Sequence, residues 1–180
     1  MEGDLLLRGE PEEEKQLEEI INQYSHCLMR TAYLLLGNRQ DAEEAVADTF
    51  IKHHLNMDNF RGESSIKTYL ISILINQCRQ KKRSAWYRKV FLFRDDNEEL
   101  YQLNGNGEDD SKKIVNRLFI SQLVQQLSNK EREVVLLFYY HDLSIKEISE
   151  LLKMREGTVK SHLHRARKLL KELGGDQWDE

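Results

Sequence analysis

From Thr158 to Lys168 the chain sets cations among short polar side chains: Thr158, Lys160, Ser161, His164, Arg165, Arg167 and Lys168. Arginine and lysine donate to guanine edges in a major groove, serine is a short, adaptable partner, and a neutral imidazole donates or accepts one hydrogen bond. At helical spacing Lys160, Ser161, His164, Arg165 and Lys168 share one side, while Val159, Leu163, Ala166, Leu170 and Leu173 recur on another. Such a helix has one face to bury and one to offer to a polyanion. No acid interrupts its cations until Glu172.

A shorter helix, Ile145 to Leu152, precedes it, with Ser144 and Glu147 at capping-box spacing, and the tight KMREG connection with Gly157 at the turn joins the two. Two helices across a short turn, the second one cationic, predict a helix-turn-helix whose second helix enters a major groove. The plainer alternative is a solvated basic face on a helical hairpin. Base-edge donors placed among the cations favour DNA. A metal site is not expected, because His162 and His164 point to different sides of the helix and no cysteine or carboxylate cluster has ligand spacing nearby. The same holds for His26-Cys27 and His53-His54. With no phosphate-binding glycine loop and no nucleophile elbow, neither a cofactor nor catalysis is expected.

The rest of the chain must position this helix. Of 180 residues, 39% are hydrophobic and 32% charged, with one proline and nine glycines, which leaves helices little interrupted and predicts an all-α protein. The formal net charge of −4 is wrong for a free-standing binder of nucleic acid, so the cations must be concentrated locally or DNA binding must depend on a partner. Cys27 and Cys78 cannot make a disulfide framework; they read as buried free thiols in a reducing cytoplasm. The start, MEGDLLLRGEPEEEK, is neither a signal peptide nor a membrane span.

Charge and periodicity divide the chain into an acidic segment (1–16), a helical unit (17–90), a linker (91–112) and a second helical unit (113–175). In the first unit Leu17, Ile20, Ile21, Tyr24, Leu28 and Ala32 mark one helix, Ala42, Ala45, Val46, Phe50 and Leu55 a second, and Ile66, Tyr69, Leu70, Ile73 and Leu74 a third. Gly37-Asn38 and the segment from Asn59 to Ser64 break them. A basic block without acids follows (Arg79, Lys81, Lys82, Arg83, Arg88, Lys89, Arg94), then the acidic, glycine-containing Asp95 to Asp110, read as a flexible tether. In the second unit Ser128 and Glu131 have capping-box spacing before the apolar run Val134 to Tyr139, which predicts a helix buried on most sides. The fold expected is two small helical domains joined by a flexible linker, the C-terminal one a helix-turn-helix.

Three ordered blocks, DAEEAVADTFIK (Asp41 to Lys52), FRGESSIKTYLISILINQCRQKKR (Phe60 to Arg83) and LSNKEREVVLLFYYHDLSIKEISELLKMREGTVKSHLHRARKLL (Leu127 to Leu170), resemble the extracytoplasmic-function sigma factors of bacterial RNA polymerase. The resemblance implies that Asp41, Glu43, Glu44, Asp48 and Phe50 form a patch that docks on core polymerase, although Ala47-Asp48 stands where the family has a glutamine-glutamate pair. It implies that Asn59, Phe60, Arg61, Gly62, Lys67, Tyr69, Asn76 and Arg79 open the −10 element and hold an unstacked base of the non-template strand, with Tyr69 where the family more often has tryptophan. It assigns −35 contacts to Thr158, Lys160, Ser161, His164, Arg165, Arg167 and Lys168. Core RNA polymerase and promoter DNA are the partners it implies, with an anti-sigma factor as a third. Two other classes compete with it. A response regulator requires a strand-helix receiver upstream, where this chain is helical. A helical interaction protein would use the acidic helices without touching DNA.

Overall fold

The structure, a computed structural model, describes residues 11–57, 64–83 and 111–174. Every regular element among the described residues is helical. Helix α1 (Pro11–Leu36) opens on a proline, whose missing N–H is not needed at a first helical position, followed by Glu12, Glu13 and Glu14 at the positive end of the helix dipole. It therefore begins inside the acidic segment. It stops at Gly37, whose φ of 81° only glycine adopts without strain and whose N–H returns to Tyr33 O at 2.7 Å. The Asn38 side chain then caps α2 (Arg39–Leu55), accepting from the Asp41 N–H at 2.8 Å. Ser65 Oγ accepts from the Thr68 N–H at 3.1 Å at the start of α3 (Ile66–Arg83). These three helices pack on one another around Leu28, Ala32, Ala42, Ala45, Leu70, Ile71 and Leu74, all fully buried.

The second unit comprises α4 (Ser111–Gln126), α5 (Asn129–Val135), α6 (Ile145–Leu152) and α7 (Glu156–Gly174). Helix α5 runs on as a π-helical turn over Leu136–Tyr140. Both expected capping boxes are present, Ser128 with Glu131 and Ser144 with Glu147. Val134 to Leu137 are buried, whereas the wider π turn brings Tyr139 to the surface. Val159, Leu163, Ala166 and Leu170 of α7 pack beneath its polar face, but Leu173, read with that set, is exposed on the last turn.

The two units do not stand apart. Helix α1 touches α4 and α5, and the buried apolar residues form one cluster across the boundary. Both cysteines are free, and burial pushes the Cys78 thiol up to about 12. None of the described helices is long and apolar enough to cross a membrane.

Candidate nucleic-acid interface

On α7 all seven residues expected to face DNA are exposed. Their neighbours already orient several of them. Arg165 donates from Nε to Glu131 Oε1 at 3.2 Å, and its second guanidinium nitrogen lies 2.9 Å from His162 Nδ1. Desolvation first, and then the Arg165 charge, holds His162 below the usual histidine range, so it stays neutral and accepts from the guanidinium. Arg167 donates to the Tyr139 hydroxyl at 2.6 Å and lies over the Phe138 and Tyr139 rings at 5.7 and 5.6 Å. Ser161 donates to Gly157 O at 2.8 Å within its own helix, which leaves its oxygen lone pairs for an outside donor. His162, Glu131 and Tyr139 were not found by sequence reasoning. Only the i, i+3 spacing of His162 and Arg165 hinted at the first of them.

The turn that presents α7 differs in detail from the expectation. Its left-handed residue is Lys153, at φ 54°, while Gly157 lies in the first turn of α7 with nothing within 4 Å of the place a Cβ would take. Glycine there costs helix stability without a steric return from the protein. Gly157→Ala is expected to raise unfolding free energy by about 0.5–1 kcal/mol, as chemical denaturation would measure. Lys153→Gly, which relieves an L-residue in the left-handed region, is expected to do the same by up to about 1 kcal/mol.

Helix α3 carries the second surface. Tyr69, Asn76 and Arg79 line a cleft of about 350 Å³ together with Lys52 and Asn56 from the end of α2 and Ile73, Gln80 and Arg83 from α3. That volume is in the range of clefts that hold a small ligand. The cleft follows the helical row 69, 73, 76, 80, 83, so Gln80 and Arg83 could have been added from spacing alone. Tyr69 is held edge-on to His53, with ring centroids 5.9 Å apart, so its ring is half-buried. His53 is buried, and desolvation keeps it below the usual histidine range. Lys67 stands elsewhere. It is half-buried on the side of α3 where its charge acts on Cys27 and on His141 of the second unit. Asn59, Phe60, Arg61 and Gly62, and likewise Arg88, Lys89, Arg94 and the Asp95 to Asp110 tether, lie outside the described residues.

The acidic face of α2 is exposed at Glu43, Glu44 and Asp48, and Asp41 is half-buried beside its cap. Glu43 pairs with Arg39 and Glu44 with Lys81, each at 2.6 Å, and the Lys81 ammonium keeps the Glu44 carboxyl below its usual range. Phe50, expected on this patch, is 8% exposed, because it shares the inward row of Ala42, Val46, Thr49 and His53. The apolar residues at the surface are instead Ile51, 56% exposed, and Leu55, 65% exposed. Leu55, expected in the buried row, is thus at the surface. The inward spacing of three and four, extended to the end of α2, puts both outside on the row of Glu44 and Asp48.

Residues 20–88 match the family model of sigma-70 region 2, and residues 120–170 that of sigma-70 region 4. Over 162 residues the chain is 30% identical to the ECF RNA polymerase sigma factor SigW of Bacillus subtilis, covering 86% of each protein. Over 164 residues it is 29% identical to the ECF RNA polymerase sigma factor SigL of Mycobacterium tuberculosis, covering 88% of this chain and 90% of that one. The fold is similar to that of the sigma factor RpoE of Bartonella quintana, solved in complex with the anti-sigma factor NepR, with TM-score 0.67 and 23% identity over 91% of this chain and 99% of that one. A first helical module matched to region 2, a second matched to region 4, and a relative at this identity along most of the length together place the chain in the extracytoplasmic-function sigma factors, which direct bacterial RNA polymerase to particular promoters.

Proposed function

We propose a division of this work among three surfaces. The outward row Glu44, Asp48, Ile51 and Leu55, flanked by Asp41 and Glu43, docks on core polymerase through acids around a small apolar centre. The α3 cleft takes an unstacked base of the −10 non-template strand, with Asn76 for its polar edge, Tyr69 as an aromatic wall, and Arg79, Arg83 and Lys52 for flanking phosphates. The exposed face of α7 reads the −35 duplex, with Lys160, Ser161, His164 and Arg165 toward base edges and Thr158, Arg167 and Lys168 toward the backbone. The chain supplies recognition and the polymerase makes the bonds, so no cofactor enters. It works in the cytoplasm, where an anti-sigma factor covers these surfaces until it is needed.

One observation carries this reading: asparagine, an aromatic ring and three cations converge on a single cleft in the same chain as a recognition helix with an exposed polar face. The test is reconstituted run-off transcription with bacterial core polymerase on a promoter library, which reports initiation and the recognised sequence together. Failure to start RNA at any defined site sinks it. Within that assay Arg165→Ala should cost on the order of 1–3 kcal/mol at one −35 position and relax preference there. An equal loss at every −35 sequence would make Arg165 a phosphate contact instead.

A further inference from the structure

Two arginines assigned to DNA are already occupied, one on each side of α5. Arg79 of the α3 cleft makes a two-pronged pair with Glu133, Nε to Oε1 at 2.8 Å and the second nitrogen to Oε2 at 2.6 Å. On the other side, Arg165 of α7 donates to Glu131. The Glu133 side chain is only 6% exposed and Arg79 reaches it from the other module, 54 positions away in sequence. One turn along α3, Lys82 donates to Asn129 Oδ1 at 2.7 Å, so successive turns of α3 engage successive turns of α5. Gln125 and Arg132 close the same seam by donating to Leu34 O and Leu35 O at the end of α1, at 2.8 and 3.0 Å.

A carboxylate and a phosphate offer a guanidinium the same planar pair of acceptor oxygens. We propose that α5 is an internal mimic of the DNA backbone: Glu133 occupies Arg79 in the module-closed chain, and strand capture at the α3 cleft and separation of the two modules are a single competition for that guanidinium. The idea rests on the −10 assignment of the α3 cleft made above. Its consequence is reciprocal. A chain closed through Glu133 binds single strands weakly in proportion to the fraction that is open, and a bound strand releases the second module from the first. Free protein is thereby kept from occupying nucleic acid away from polymerase.

The experiment uses the full chain without polymerase. Fluorescence anisotropy with a labelled random-sequence single-stranded deoxyoligonucleotide measures capture, and small-angle scattering of the free protein measures separation. Glu133→Gln keeps the shape and removes the charge. It frees Lys130, 3.5 Å from Glu133 Oε2, as well as Arg79, and is expected to bind the strand roughly tenfold more tightly than the parent through Arg79, with a larger radius of gyration. Asn129→Ala, which frees only Lys82, should act in the same direction by roughly threefold and serves if Glu133→Gln fails to fold. The gain must vanish when Arg79→Gln is added. Unchanged or weaker binding by Glu133→Gln, or a gain that survives Arg79→Gln, overturns the proposal. Run-off transcription by the parent chain reports separately on the sigma-factor reading of the cleft, because the binding and scattering measurements need neither polymerase nor promoter.

Discussion

Arg132→Ala is expected to destabilise the protein by about 3–5 kcal/mol, the scale of leaving several buried carbonyl oxygens without their charged donor. Arg132 is 7% exposed, and its two terminal nitrogens donate to four oxygens: Leu35 O at 3.0 Å, Gln125 Oε1 at 2.6 Å, Gln125 O at 2.5 Å and Leu127 O at 3.1 Å. Three of these are backbone carbonyls at or just past helix ends, Leu35 for α1 and Gln125 and Leu127 for α4. Neither helix has a basic residue in its own last turn. A single guanidinium thus satisfies the orphan carbonyls of two helices in different modules and places its positive charge where both dipoles are negative. Alanine leaves those oxygens buried with no donor in place. Lysine does not restore them, since an ammonium has no planar fork to span two helix ends, and Arg132→Lys should recover less than half of the loss. For a chain of this length the alanine variant should unfold roughly 8–15 °C below the parent. A urea-unfolding difference under 1 kcal/mol would show that the seam relaxes around the gap.

What the residues disclosed and what they withheld divide along a physical line. Capping boxes at Ser128 and Ser144 were legible because they are local: a hydroxyl and a carboxylate three positions apart can satisfy two N–H groups whatever the rest of the chain does. The two faces of α7 were legible because burial imposes a period, and Val159, Leu163, Ala166 and Leu170 keep it. Near helix ends the period alone misleads. Leu173 continues the apolar row of Val159, Leu163, Ala166 and Leu170, yet it lies on the last turn of α7 and is exposed, whereas Leu55 is exposed because it stands on the outward row of Glu44 and Asp48. Phe50 shows the opposite, an aromatic expected to contact a partner that in fact fills the core beneath the acidic face. The seam between the modules was the least legible feature. Arg79 and Glu133 look like ordinary members of a basic and a polar helix face, and only the tertiary arrangement brings them together. A charge pattern shows which groups seek partners and is silent about which partners are within reach.

Acidification from neutral pH should loosen the same seam, by on the order of 3 kcal/mol through His141. This residue, in the second module, is buried with Nε2 2.9 Å from Thr31 Oγ1 of α1 and Nδ1 4.0 Å from Cys27 Sγ. Thr31 gives its hydroxyl hydrogen to Cys27 O at 2.8 Å, so toward His141 it accepts, and the imidazole is the neutral Nε2–H form. Burial first, and then the Lys67 charge, pushes His141 down to about 4, with Asp142 opposing; Tyr140, stacked edge-on at 4.9 Å, and Arg30, over the Tyr140 ring, complete the surroundings. A histidine of ordinary pKa near 6.5 in the unfolded chain therefore takes up a proton that the folded chain refuses. The stability that goes with the neutral ring is fully present above 6.5 and is lost as pH falls from there through about 4, at about 1.4 kcal/mol per pH unit of the gap. His53 and His162, also held low by desolvation, act in the same direction, and the lowered carboxylates Glu44, Glu131 and Glu147 add to it at the acid end. The share of His141 is isolated by His141→Gln, whose amide keeps a donor for Thr31 and does not titrate. Denaturation curves between pH 7.5 and 4 should fall less steeply for that variant than for the parent, and superimposable slopes would place the acid sensitivity in the other groups.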